Sequence, residues 1–298
     1  MQTQTFSQGY IPCPQPVVSK GQYLKEIREA SMGHLVIVFT GTGSAFAKKN
    51  DQSGIIVAKN GNVGLVDCGA NAPQALHRHG ISVTDFDFYH LTHSHADHVG
   101  GYEEVLLMHK FVLKKKPKLL ICRPYAKTLW EDTLKGGCEI NEAGALRLND
   151  LVEPIFAKWK TETPREIYTA NVGSGEQMIN FDIFRTAHTP GDVDHWEAAF
   201  WSTGLVIDGK VLYSGDTRFD PQLFNDVHAD NLETILHDCQ LFSPGTVHAC
   251  YDDMKTLPDD IKKKTLLYHY GDNYEAFEPK ADGFAGFARP FQIYRWKL

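Results

Sequence analysis

The stretch "HSHADH", His93 to His98, places three imidazoles and a carboxylate within six residues: His93, His95, Asp97 and His98. Imidazole nitrogen and carboxylate oxygen are the donors that Zn²⁺ takes and, less selectively, Mn²⁺, Fe and Co. No packing requirement puts four polar groups side by side, because burying them without partners is costly. A surface histidine tract that binds metal adventitiously is the competing reading. Three more residues of the same types end strand-like stretches: His188 after "MINFDIFRTA", Asp216 after "VLYSG" and His269 after "TLLY". Loops at strand ends can converge on one site from distant parts of a chain. Spacing alone ties only the first cluster together. Taken singly, His188 and His269 read equally well as ordinary polar residues.

The elements that would carry these residues follow from the pattern. "GQYLKEIREA" (21–30) has helical spacing, and "HLVIVFTGTGSA" reads as a buried strand running into a glycine-rich turn. "GIIVAKNGNVGLVDCG" reads as two strands joined by a turn at Asn60-Gly61. "APQALHRHG" predicts a helix closed by Gly80. A strand from Phe86 to about Thr92 leads into the histidine cluster. A helix from about Gly101 to Lys110 and the strand "KLLICRP" follow. Residues 125–170 read as mostly helical, with little strand signal. "MINFDIFRTAH", "AAFWSTGLVIDGKVLYSGDT" and "TLLYHYGD" read as strands, while "NLETILHDC" and "DDMKTLPDDIKKK" read as helical. Residues 1–20, with Pro12, Pro14 and Pro16, read as an extended lead-in.

Bulk composition limits the function classes. The chain has 298 residues, 42% of them hydrophobic and 22% charged, which is globular rather than disordered. Its net charge of −7 argues against a general nucleic-acid coat, which needs excess Lys and Arg. No apolar run approaches the roughly 20 residues of a membrane span. "MQTQTFSQGY" lacks the basic and apolar regions of a secretory signal. The six scattered cysteines, with no Cys-x-x-Cys, read as reduced thiols of a cytoplasmic protein.

"HSHADH" followed by Gly100-Gly101 resembles the signature of the metallo-β-lactamase superfamily. The resemblance runs from about His34 to the C-terminus. It implies an α+β fold, a four-layer αββα sandwich with its site at one edge. The expected layout is an N-terminal extension over 1–30 and a hydrolase domain over 31–298, with a helical insertion at about 125–170. It also implies two divalent metals, most simply Zn with Mn possible. One would take His93, His95 and His188. The other would take Asp97, His98 and His269, with Asp216 bridging.

Within the superfamily the sequence is most similar to the tRNase Z-like phosphodiesterases. "FTGTGSAF…KNDQSG" is similar to their first strand and loop, and "LLYHYGDN" to their last ligand motif. "LHDC" (236–239) and the later His248 are similar to their His-Glu-Ala-Thr motif and its partner histidine, with Asp238 in place of the glutamate. Members that process tRNA carry a binding arm between the third histidine ligand and the bridging aspartate. Here His188 and Asp216 are only 28 residues apart, and "STGLVIDGKVLY" fills the interval with a plain hairpin. The segment at 125–170 is acidic. The chain is therefore similar to arm-less relatives, the carbon–phosphorus-pathway phosphodiesterase and the anti-Pycsar enzymes that open cyclic nucleotides. A cyclic nucleotide or cyclic phosphate is the expected substrate, with no tRNA, no membrane and a homodimer as the expected assembly.

The chemistry implied is attack by metal-bound hydroxide on a phosphodiester. Asp97 would accept a proton as well as hold a metal, His248 would protonate the leaving alkoxide, and Asp238 would orient His248. A lactonase or thioesterase of the same fold would keep the metals without needing the Asp238–His248 pair. A non-catalytic sensing module is the other alternative, and the full ligand set argues against it. "GTGSAF" lacks a third glycine of a dinucleotide fingerprint and reads as a tight turn beside the site. "KKKPK" (114–118) reads as a solvated helix end, and His77 and His79 as cations near a helix C-terminus. His195 could line the pocket or compete with His188 as the ligand. Trp196, Phe242 and Tyr251 are either core residues or rings that stack on a base.

Overall fold

The computed structural model describes residues 10–11, 21–193 and 195–298. Two eight-stranded sheets dominate. The first runs, in spatial order, Tyr10–Ile11, Ile293–Lys297, His34–Gly41, Gly54–Lys59, Asn62–Val66, Phe88–His90, Lys118–Ile121 and Glu153–Phe156. The second runs Lys158–Lys160, Ile167–Val172, Ile179–Arg185, Thr203–Ile207, Val211–Tyr213, Thr234–Asp238, Thr265–Tyr268 and Gly286–Phe287.

Side-chain alternation along the strands builds the layers. In His34–Gly41, Leu35, Ile37 and Phe39 face the second sheet, where they meet Phe181, Ile183, Leu205 and Tyr213. Val36 and Val38 face the opposite way, onto Tyr23 and Ile27 of the helix Gln22–Ala30 and onto Leu76 and Tyr102. Phe184, Leu212 and Ile235 of the second sheet face Leu223, Phe224, Met254 and Ile261 of its own short helices. The result is helix, sheet, sheet, helix, with the central strands of each sheet buried on both faces. Truncating an inter-sheet residue such as Phe39, fully buried, would cost ~3–5 kcal/mol.

The hairpin at Asn60-Gly61 forms as predicted, with both residues in the left-handed region (φ 47° and 84°). Two predicted elements differ. "NLETILHDC" is not helical: Thr234–Asp238 is a fully buried parallel strand between Val211–Tyr213 and Thr265–Tyr268. A strand covered on both faces shows no alternation, so its apolar run does not distinguish it from a buried helix. Residues 125–170 are helical only through Cys138 and over Leu148–Leu151. Strands then occupy Glu153–Phe156 and Lys158–Lys160, and another begins at Ile167. The strand predicted from Phe86 to about Thr92 is confined to Phe88–His90. The extended lead-in predicted for residues 1–20 lies outside the described residues, except that Tyr10 and Ile11 pair with Tyr294 and Ile293.

Strand direction aims the site. Val211–Tyr213, Thr234–Asp238 and Thr265–Tyr268 are parallel neighbours, with Tyr213 opposite Leu236 and Asp238 opposite Tyr268. Their C-terminal ends therefore share one edge, and Asp216, Asp238 and His269 emerge there. In the first sheet Asn62–Val66 and Phe88–His90 are likewise parallel, with Val66 opposite His90. That pairing sends Asp67 and the Thr92–His98 loop to one end.

Candidate active site

The histidine cluster begins where Phe88–His90 ends, and Ala96–Val99 closes it as one helical turn. Asp97 and His98 thereby point inward and are buried, while His95 stays exposed at the mouth. Two glycines permit the close approach of neighbouring loops. A Cβ at Gly69 would lie 2.1 Å from the carbonyl oxygen of Asp97. Gly215, at φ 60°, precedes Asp216 and passes so close to Thr203 that a Cβ would lie 2.1 Å from its carbonyl oxygen. His269 itself is left-handed, at φ 62°, a strained backbone for a non-glycine residue that recurs at functional sites.

One carboxylate oxygen stands at the centre. Asp216 Oδ2 lies 3.1 Å from His98 Nε2, 3.5 Å from His269 Nε2, 3.7 Å from His93 Nε2, 3.9 Å from His188 Nε2 and 4.0 Å from His248 Nδ1. Asp97 Oδ2 is 3.4 Å from His98 Nε2 and 3.2 Å from His269 Nε2, and His188 Nε2 is 3.0 Å from His95 Nδ1. The donor atoms fall into three groups, the last two sharing Asp216 and His269: His93, His95 and His188; then Asp97, His98, Asp216 and His269; then Asp216, Asp238, His248 and His269. All seven residues expected as ligands are thus brought together. His195 is not among these groups; it is exposed and lies 3.8 Å from Glu197.

Most of the imidazoles are held from behind. His98 Nδ1 donates to Asp67 Oδ2 (2.8 Å), and His188 Nδ1 donates to the carbonyl of Val247 (2.8 Å). His93 Nδ1 pairs with Thr92 Oγ1 at 3.0 Å, and His269 Nδ1 lies 3.5 Å from Asp238 Oδ1. Each of these four therefore turns Nε2 toward the centre, the arrangement by which outer carboxylates and carbonyls orient metal-binding histidines.

The centre is left short of partners. His93 Nε2, His98 Nε2 and both oxygens of Asp216 are buried without a hydrogen bond. Each such group costs ~1–3 kcal/mol if nothing satisfies it. Four of them converging in one pocket, with donor types suited to divalent cations, fit a metal centre.

The charges reflect this crowding. Burial holds the His93 imidazole well below its ordinary pKa and takes His188 down to about 4, against the pull of Asp216. Burial would also lower His98, but the carboxylates of Asp216, Asp97 and Asp67 outweigh it and hold the imidazolium well above the usual range. Burial would raise Asp216, yet His269 and His98 keep its carboxyl well below the carboxylate norm.

Beside the cluster, His248 Nδ1 donates to Asp238 Oδ2 at 2.8 Å, and the same oxygen accepts from the backbone N–H of Thr217 at 3.0 Å. Burial opposes a charge on His248, but Asp238 overrides it and raises the imidazolium to about 9. Asp238 has a second contact that its expected role omitted. Its Oδ1 faces His269, so one carboxylate backs both imidazoles.

A profile described as "Anti-Pycsar protein Apyc1" matches residues 35–294. The chain belongs to the anti-Pycsar Apyc1 family. It is 34% identical over 242 residues to the Apyc1 protein of Paenibacillus harenae, covering 81% of this chain and 92% of that one. It is 37% identical over 249 residues to that of Bacillus phage vB_BveM-Goe7, covering 81% and 91%. The crystal structure of the metallo-β-lactamase-fold protein YhfI from Bacillus subtilis superposes with a TM-score of 0.59 at 13% identity, covering 87% of this chain and 99% of that one. The fold is that of the metallo-β-lactamase superfamily, and the chain is a hydrolase that depends on divalent metal.

Sequence reasoning missed Asp67. It sits at the end of Asn62–Val66, left-handed at φ 62°, and accepts from His98 Nδ1, the Thr92 hydroxyl and the Thr92 N–H (2.8 Å). Its signal was the aspartate of "VDCG" at a strand end, the same position in a strand-to-loop step that marks the other site residues. Ser94 was missed too: its hydroxyl pairs with Tyr125 (3.1 Å) and accepts from Thr133 (2.8 Å), which ties the metal-type loop to the helical segment. Trp196 and Tyr251 are core residues, whereas Phe242 is exposed. Among the described residues no helix is long and apolar enough to cross a membrane. The five described cysteines are free and buried.

Proposed function

We propose that this family member is a dinuclear phosphodiesterase that opens a small cyclic nucleotide or cyclic phosphate. The observation that carries the reading is the single oxygen of Asp216 among five imidazoles, with a hydrogen-bonded Asp238–His248 pair alongside. His93, His95 and His188 would hold one cation and Asp97, His98 and His269 the other, with Asp216 serving both. The donor set favours Zn, with Mn as the alternative. Two bound divalent cations supply charge neutralisation for the phosphate and lower the pKa of water toward ~7.

The protein's own groups handle orientation and protons. The Asp97 carboxylate, beside His98 and His269, accepts the proton of the attacking water. His248, with Nδ1–H held by Asp238, presents Nε2 to the leaving oxygen and gives it a proton. A raised imidazolium pKa suits that duty, because the proton is in place at neutral pH. The anti-Pycsar relatives and the short His188–Asp216 interval favour a small cyclic substrate over tRNA. Buried free thiols suit a cytoplasmic setting, and the family resemblance suggests a homodimer, which light scattering would test.

The direct test is an assay of metal-loaded protein on bis-p-nitrophenyl phosphate, a lactone, and 2′,3′- and 3′,5′-cyclic nucleotides. Ring opening of cyclic nucleotides without lactone hydrolysis is expected. Lactone hydrolysis with no phosphodiester cleavage would overturn the assignment.

A further inference from the structure

The metal-type residues are braced unequally. Asp97 and His98 sit on the turn Ala96–Val99, which is tied down from the neighbouring loop. There the N–H of Cys68 donates to the carbonyl of His98 at 2.7 Å, and that of Ala70 to the carbonyl of Ala96 at 3.0 Å. Asp67 and Asp238 stand behind His98 and His269. His95 has no such support. It is exposed, and among the described residues its imidazole meets only His188 Nε2 at hydrogen-bond distance, 3.0 Å away and itself of the metal-type group. The aim of its ring therefore depends on its backbone, and Ser94 is the residue that enters that backbone.

Ser94 is clamped from outside the cluster. Its hydroxyl accepts from Thr133 Oγ1 at 2.8 Å and pairs with Tyr125 Oη at 3.1 Å. Both partners belong to the helical segment. Tyr125 lies on Arg123–Thr128, and Thr133 on the π-helical turn Leu129–Leu134, a widened form that recurs at functional sites. Tyr125 is itself fixed: its ring is buried and lies parallel to that of Trp201, 5.7 Å away at 3°. The Arg185 guanidinium lies 4.7 Å from the same indole and donates to the carbonyl of Ala199 at 3.0 Å. Arg185 ends the strand that leads to His188, and the N–H of Phe200, beside Trp201, donates to the carbonyl of Thr189 at 2.8 Å. One stack thus braces the loops of His95 and His188. Neither Tyr125 nor Thr133 bonds Asp97, His98, Asp216 or His269.

We propose that Tyr125 and Thr133 are positioning residues for one ion only. Through Ser94 they set His95, so the helical segment tunes the affinity of the His93–His95–His188 position and leaves the Asp97–His98–Asp216–His269 position alone. A coordinating imidazole must be held to within ~0.5 Å of its place, and freeing the residue before it loosens that hold. This rests on the two-ion reading above.

The test titrates metal-stripped full-length protein with Zn²⁺ against a chromophoric chelator and reads the affinity of each ion. His95→Ala, which deletes a ligand, marks the three-histidine ion. Tyr125→Phe keeps the ring on Trp201 and deletes only the hydroxyl. It and Thr133→Val should each weaken that ion roughly three- to tenfold, the worth of one hydrogen bond. Ser94→Ala loses both bonds and should weaken it roughly ten- to hundredfold. Thr133→Ser should keep wild-type affinity, and the other ion should hold its affinity in every one of these clamp variants. Equal weakening of both ions, or weakening of the other ion alone, would make the clamp general scaffolding and overturn the assignment. So would unchanged affinities in Tyr125→Phe, Thr133→Val and Ser94→Ala. Wild-type protein that binds one ion or none would instead overturn the underlying two-ion reading.

Discussion

Replacing His248 with alanine separates proton donation from metal binding. The imidazole hydrogen-bonds through Nδ1 to Asp238 Oδ2, its ring packs against those of His269 and His188 (centroids 4.6 and 4.8 Å) without bonding either, and its side chain is 19% exposed. Its loss leaves Asp238 Oδ2 still bonded to the N–H of Thr217, so the buried carboxylate keeps a partner and the strand ends keep their geometry. The direct contacts among His93, His95, His188, Asp97, His98, Asp216 and His269 do not involve it. Metal content should therefore stay near wild type. Loss of a general acid lowers rate by about 10²–10⁴-fold, or ~3–5 kcal/mol of transition-state stabilisation. The full loss should appear in kcat for cyclic nucleotides, whose ribose alkoxide leaves poorly without a proton. It should shrink to a few-fold for bis-p-nitrophenyl phosphate, whose leaving group departs unassisted. Steady-state kinetics on both substrates, beside metal analysis, is the assay. Equal slowing of both classes, or loss of metal from the variant, would refute proton donation and make His248 a ligand or a scaffold residue.

Asp67→Asn should weaken metal affinity about 10- to 100-fold by competition with a chromophoric chelator, because the amide cannot serve both His98 and Thr92 as acceptor while asparagine still tolerates the left-handed backbone. Asp238→Asn should shift the alkaline limb of the pH–rate profile on cyclic nucleotides downward. The acid works while protonated and fails as pH rises through its pKa, and removing the carboxylate takes away what raises that pKa to about 9. Because Asp238 also faces His269, the same variant should bind metal more weakly, a cost that His248→Ala lacks. A 3′-extended tRNA precursor should not be cleaved efficiently by the metal-loaded protein, as gel analysis of the products would show.

Features carried by neighbours in the chain were the legible ones. The Asn60-Gly61 turn and the His93–His98 cluster are local, so residue type and spacing sufficed. The αββα layering and the convergence of His188, Asp216 and His269 came through family resemblance, since no spacing rule links residues so far apart. Thr234–Asp238 was misread because a central parallel strand, buried on both faces, loses the alternation by which strands announce themselves. The strands from Glu153 onward were masked by exposed residues such as those of Lys158–Lys160, which show no buried alternating face. Asp67 went unnoticed because its work is done across space, on Thr92 and His98, and its strand-end position in "VDCG" was its one local signal.

The central claim is a two-ion centre sharing Asp216. The most direct measurement is the metal-to-protein ratio, by elemental mass spectrometry, of protein stripped and then reconstituted with Zn²⁺ or Mn²⁺. Close to two ions per chain are expected, with Asp216→Ala losing metal and activity together. One ion or none in the reconstituted wild-type protein would contradict the account.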